Sequence, residues 1–186
     1  MAGFRKKLCI FFVIIILGLL YIAVVPWASI FVGTLLLEQP AKPEIERGEF
    51  SFTLIYKIGG EQKVVKDTLI CEYDGIGIDE GRGKYRKWKS ELASGNTDLV
   101  LWEEEGKGGV KKKIYYNYAP PGYYMGDPDD AGGNKSNFSD IILEKESDDS
   151  IEQIFISEKR LLQKYDIEII SWDCEEPIEN VFESEG

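Results

Sequence analysis

The chain has 186 residues, with 22 Lys and Arg against 33 Asp and Glu, a net charge of −11, and no histidine. An acidic balance excludes a general nucleic-acid binder, which needs cations to displace phosphate counterions. The missing histidine excludes Ser-His-Asp and Cys-His catalysis and the usual zinc sites with imidazole ligands, and no cofactor is expected.

Charge divides the chain in two. Arg5, Lys6 and Lys7 are the only charged residues before Glu38, so residues 38–186 hold 19 bases and 33 acids. Residues 8–37 are 30 consecutive uncharged positions. As a helix this run spans about 45 Å, against roughly 30 Å of bilayer hydrocarbon. Leu8–Val25 holds 14 residues of the Leu, Ile, Phe or Val type and shows no polar stripe of helical period, so a buried globular helix is disfavoured. Residues 8–37 are read as a transmembrane anchor in contact with the lipid bilayer. Trp27 marks the outer interface and Pro26 is expected to kink the exit. The preceding bases keep residues 1–7 cytoplasmic, so the remainder faces outward from a cell membrane crossed once. A cleaved signal peptide is the competing reading. It is disfavoured because the apolar run exceeds the usual 7–15 residues and Pro26 occupies the −3 position of the cleavage site before Trp27 and Ala28.

Residues 38–48 (two prolines among polar residues) are expected to form a linker. Phe50, Phe52, Leu54, Tyr56 and Ile58 alternate on one face, and Gly59-Gly60 joins this strand to a second over Glu61–Tyr73 as a hairpin. Asp74–Gly83, with four glycines in ten residues, is read as a loop. The 3–4 spacing of Tyr85, Trp88 and Leu92 predicts a short helix ending near Gly95. Asp98–Glu104 and Val110–Tyr118 form a second strand pair, and Pro120–Asn137 a long loop. Asp140–Glu146 and Ile151–Ser157 form a third hairpin. Ser157–Tyr165 reads as a helical segment capped by Ser157, and Asp166–Cys174 as the last strand. The tail from Asp173 onward holds six acids and no base and is expected to fray. The fold class is therefore α+β, mostly antiparallel β: one N-terminal transmembrane helix, then a small β-rich domain over residues 49–174 with one or two short helices, and an acidic tail over 175–186.

Five constellations bear on chemistry. Cys71 and Cys174 lie in two strands and can pair if the compartment is oxidising, or serve as separate small core residues; Cys9 lies in the anchor. The glycines around Gly75, Gly77, Gly81 and Gly83 fail the phosphate-loop pattern at Ile78 and Tyr85, and the dinucleotide fingerprint at Glu80. Asp127 and Asp129 suggest a hard cation, but Ala131 and Phe138 stand where a calcium loop needs ligands, and no metal site is assigned. Two surface features remain. Arg82, Lys84, Arg86, Lys87 and Lys89 place five cations in eight residues, a patch suited to an anionic partner. Tyr115, Tyr116, Tyr118, Tyr123 and Tyr124 supply five of the ten tyrosines, an aromatic patch suited to sugars or a protein partner.

The stretch Glu72–Asn96 (EYDGIGIDEGRGKYRKWKSELASGN), behind a basic start and a single apolar run, resembles uncharacterised single-pass, membrane-anchored extracytoplasmic proteins of Gram-positive bacteria. The resemblance implies the same topology and carries no catalytic residues. No catalytic motif is present, so the chain is expected to be a non-catalytic interaction module whose partner is an envelope polymer or another membrane protein. The alternative is an anchored or secreted hydrolase using carboxylates or a Ser/Lys pair.

Overall fold

The computed structural model describes residues 2–79, 83–106, 109–130, 140–147 and 150–183. They divide into two compact units: residues 1–40 with 76–85, and residues 41–75 with 86–186.

The first unit is built on α1, Ala2–Leu36. Ile10–Gly33 is long and apolar enough to cross a membrane, and none of it is buried inside the protein. The helix runs through Pro26; the expected kink at the exit does not end it. Proline removes one backbone donor from the helix, and one turn later the Ser29 hydroxyl donates to the Val25 carbonyl at 2.8 Å.

The second unit is mostly antiparallel β, and the end of β3 and the start of β4 reach from it into the first unit. Strands β1 (Lys42–Pro43), β2 (Arg47–Ile58), β3 (Glu61–Asp79), β4 (Gly83–Leu92), β5 (Leu99–Glu105) and β6 (Lys111–Asn117) precede the single turn of α2 (Pro121–Tyr124). Strands β7 (Asp140–Ser147) and β8 (Ser150–Ile156), helix α3 (Glu158–Tyr165), and strands β9 (Ile167–Cys174) and β10 (Phe182–Glu183) follow. One sheet has the order β4-β3-β2-β9, a second β5-β6-β7-β8, and β1 pairs with β10.

The predicted hairpins form for the predicted reasons. Phe50, Phe52, Leu54 and Tyr56 are buried on one side of β2. Gly59 and Gly60 both take positive φ, +59° and +79°, as a two-residue type I′ turn requires. The β5–β6 and β7–β8 pairs are antiparallel as read. Ser157 caps α3 by accepting from the Arg160 amide. The two sheets share one core. Trp172 of β9 joins them, its ring 4.7 Å from Phe52 in its own sheet and 4.9 Å from Tyr116 in the other, centroid to centroid.

Four expectations are corrected. The helix predicted over Tyr85–Leu92 is strand β4: Arg86, Trp88 and Leu92 are buried while Lys87, Lys89 and Glu91 are exposed, a period of 2 rather than 3.6. The loop predicted over Asp74–Gly83 is strand as far as Asp79, and Glu80–Arg82 lie outside the described residues. The predicted loop from Pro120 contains α2 and a turn, with 131–137 outside the described residues. As far as Glu183 the tail is tied down rather than frayed, because β10 pairs with β1 inside the predicted linker, Lys42 opposite Glu183 and Pro43 opposite Phe182; residues 184–186 lie outside the described residues. Asn180 completes that closure, its side chain accepting from the Ile45 amide and donating to the Ile45 carbonyl.

Candidate functional site

The most tightly built constellation lies where β4, the turn after α2 and β10 meet. Strand alternation turns Arg86 and Trp88 inward. Arg86 is 5% exposed and Asp127 is fully buried. The Arg86 guanidinium donates from Nε to Asp127 Oδ2 at 2.7 Å and from Nη2 to Asp127 Oδ1 at 2.6 Å. It also donates to Asp129 Oδ2 at 2.5 Å and to the Ala41 carbonyl at 3.2 Å. Trp88 Nε1 donates to Asp127 Oδ2 at 2.8 Å, and the Asp129 amide donates to Asp127 Oδ1 at 2.9 Å. The Phe182 ring lies 4.3 Å from the guanidinium carbon. Burial alone would push the Asp127 carboxyl up, but the hydrogen bonds from Arg86, Trp88 and Asp129, with the Arg86 charge, hold it below the usual carboxylate range. The hydrogen bond to Asp127 raises Arg86 in turn, against the opposing effect of burial. Both Asp127 oxygens thus accept from protein donors. The arrangement clamps the α2 turn to β4 and to the chain closure; it is a structural pair that directs no charge outward.

Arg86 was expected in a continuous patch for an anionic partner, and the strand divides that patch. Arg86 points inward. Lys87 and Lys89 point outward and pair with acids of β3, Lys87 with Asp74 at 2.5 Å and Lys89 with Glu72 at 3.1 Å. The hydrogen bond from Lys87 lowers the Asp74 carboxyl, and the one to Glu72 raises Lys89. Lys84 belongs to the other unit, where its ammonium donates to the Leu37 carbonyl at 2.7 Å. Arg82 lies outside the described residues.

The five tyrosines are likewise distributed. Tyr116 and Tyr124 are core residues, Tyr115 is buried, and Tyr118 and Tyr123 are half-buried. Tyr124 stacks on Phe50 at 5.2 Å; burial pushes its hydroxyl up, and the neighbouring Cys174 adds to the rise. Cys71 and Cys174 are both free thiols. Cys71 sits opposite Gly48 and Cys174 opposite Phe52, on the two strands flanking β2. Burial pushes the Cys71 thiol up to about 12, and burial also raises Cys174.

Sequence reasoning did not single out the outer face of the second sheet. Across its four strands Val100, Tyr115, Ile142 and Phe155 stand in register. Beside this apolar row runs a polar one, Glu103, Lys113, Glu144 and Gln153. Lys113 contacts Asp98 at 2.9 Å and Glu144 at 3.1 Å. Burial lowers Lys113, but these two bonds outweigh it and hold the ammonium above its usual range. The hydrogen bond from Gln153 is the first cause of the lowered Glu144 carboxyl. A groove of about 520 Å³ lies between Glu103–Glu105, Lys111–Lys113, Glu144 and Glu146. A second, more open groove of about 570 Å³ crosses the first sheet near Ser51, Thr53, Lys66, Thr68 and Glu175. At the sheet edge, β8 exposes Ile151 and Phe155, the latter at 70%. It carries no Lys and no Pro, and its pairing with β7 is regular. Among the described residues no group of three or more Cys, Asp or Glu is gathered to hold a metal ion.

Comparison with protein-family models, with curated proteins and with solved structures finds no match.

Proposed function

We propose that this chain is a single-pass membrane protein whose β-rich unit acts outside the cytoplasm as a non-catalytic interaction module. The observation that carries the reading is α1: a helix whose 24-residue apolar stretch, Ile10–Gly33, is not buried among the described residues. In water such a surface drives association; in a bilayer it needs no partner. Arg5, Lys6 and Lys7 precede it and set the orientation by the positive-inside rule. The resemblance to single-pass extracytoplasmic proteins points the same way.

The interaction surface is the β8 edge, and its partner is another membrane protein that adds a strand. Edge strands are ordinarily blunted by Lys, Pro or a bulge. β8 has no Lys, Pro or bulge, and its one charge, Glu152, pairs with Lys145; Phe155 ends the apolar row of its sheet and Ile151, opposite Glu146, is a second exposed apolar side chain, which suits strand addition with side-chain pockets. The charged groups nearby are tied into cross-strand pairs, so the module reads as shape and backbone recognition rather than acid–base chemistry.

Membrane fractionation of the full-length protein, followed by protease digestion of intact cells, tests the topology. The protein is expected in the alkali-resistant membrane pellet with the β-rich unit digestible from outside. Full-length protein in the soluble fraction, or protection of the unit until lysis, overturns it. A mature chain starting after residue 27 supports the signal-peptide alternative. A photo-crosslinking residue at position 155 is expected to give one discrete membrane-protein adduct that position 57 does not give. No adduct from 155, or equal adducts from both, dismisses the β8 surface.

A further inference from the structure

Residues 76–85 belong to the same compact unit as α1. The Lys84 ammonium donates to the carbonyl of Leu37, one residue past the helix. In the same unit, Ile76 and Ile78 of β3 are 39% and 57% exposed. They stand two positions apart, hence on one side of the strand, and the residue between them is Gly77, over which the Tyr85 ring lies so closely that a Cβ would meet it at 2.4 Å. Exposed isoleucines on a strand thus lie in the same unit as a helix whose last residues, Ile30, Phe31, Val32 and Leu36, are also exposed, as is Leu37 just beyond it.

The length of the uncharged run decides what these residues face. Upright, about 45 Å of helix overshoots a 30 Å hydrocarbon core by roughly 15 Å. That leaves large apolar side chains, Ile30, Phe31, Val32, Leu36 and Leu37 among them, in water, which is unfavourable. Tilting is the less costly adjustment, and helices tilt by up to about 40°. At that tilt, because α1 runs unbroken through Pro26 to Leu36, the outer hydrocarbon edge falls near the end of the helix rather than at Trp27, and Leu37 stands roughly 4–5 Å beyond it, inside a headgroup layer about 5–7 Å thick. The Leu37 carbonyl and the Lys84 ammonium are then at headgroup depth.

We propose that Ile76 and Ile78 enter the boundary between acyl chains and headgroups of the outer leaflet, giving the chain a second lipid contact beside α1. The proposal rests on the reading of α1 as the membrane span. Two apolar side chains flanking glycine make a small interfacial wedge, and the neighbouring lysine is held by the helix end.

The test reconstitutes the full-length protein in phosphatidylcholine vesicles carrying a photoactivatable acyl chain, and maps the labelled peptides by mass spectrometry. Label on α1 and on the peptide containing Ile76 and Ile78 is expected, and the second label should fall at least threefold in the Ile76→Ser, Ile78→Ser double variant while α1 labelling is unchanged. Label on α1 alone overturns the wedge and leaves the span standing. Label on neither removes both. A double variant that labels at 76–78 as strongly as the parent also overturns the wedge.

Discussion

Removing the Asp127 carboxylate gives the sharpest measure of what holds the β-rich unit together. Asp127→Ala leaves the Arg86 guanidinium, 5% exposed, with the Ala41 carbonyl and with Asp129, whose side chain is 64% exposed. It also leaves Trp88 Nε1 and the Asp129 amide without the acceptor they share. Breaking a buried pair from one side costs about 3–5 kcal/mol, and a buried donor left unmatched about 1–3 kcal/mol. These losses overlap, so about 4–6 kcal/mol is expected, a large share of the roughly 5–15 kcal/mol typical of a domain. At about 2–4 °C per kcal/mol for a domain of this size the midpoint falls by roughly 10–20 °C. The assay is thermal and urea unfolding of the full-length protein in detergent, followed by tryptophan fluorescence, to which Trp88 contributes directly. Replacing both partners, Arg86→Leu with Asp127→Leu, should be less damaging than Asp127→Ala alone, because no charge remains buried. A loss below about 1 kcal/mol, or a double variant that loses the sum of the two single variants, refutes the clamp. The pH dependence follows from the same pair. Asp127 is held below its ordinary value in the folded state. Its contribution is therefore complete above the unfolded carboxylate range near 4 and disappears as pH falls through the lower folded value. Asp127→Asn should flatten the acid limb of the stability curve.

Three further outcomes are expected. Gly126 has φ +67°, and a Cβ there would lie 2.4 Å from the Ile178 carbonyl oxygen; Gly126→Ala should cost at least about 1–2 kcal/mol from the left-handed backbone alone and raise proteolysis of the tail, and equal stability to the parent would refute it. Trp172→Ala, which empties the space between Phe52 and Tyr116, should lose about 2–4 kcal/mol in the same unfolding assay, and a loss under about 1 kcal/mol would show that the ring does not join the sheets. Cys71, fully buried with its thiol pushed up to about 12, should resist alkylation at pH 8 until denaturant is added; labelling at the rate of a free thiol in the native protein would contradict its placement.

The hairpins were readable because their cause is local. β2 alternates without a break, and Gly59-Gly60 supplies the only backbone its turn accepts. β4 was misread because its inward side includes a charged residue. With Arg86 counted as polar, the apolar set reduces to Tyr85, Trp88 and Leu92, whose spacing imitates a helix. The better signal was the exposed set Lys87, Lys89 and Glu91, strictly alternate. Arg86 turns inward because of Asp127, 41 residues away, and no window along the chain contains both. For the same reason the cationic patch was visible as composition but not as geometry. The tail misled through its six acids. Its closure on the β-rich unit rests on Ile178, Asn180 and Phe182, three residues spread through a segment that its charge marks as solvated. The outer face of the second sheet emerges only when Val100, Tyr115, Ile142 and Phe155 are brought into register from four separate strands.

The pairing of Lys42 with Glu183 sets the beginning and the finish of the β-rich unit side by side. A covalent join between those two points would need only a short peptide, so the unit is suited to circular permutation, with new termini opened at the Gly59-Gly60 turn. It also determines where a fused reporter would stand. A fluorescent protein appended after residue 183 would emerge beside Lys42, leaving the β8 edge to be probed by insertions elsewhere.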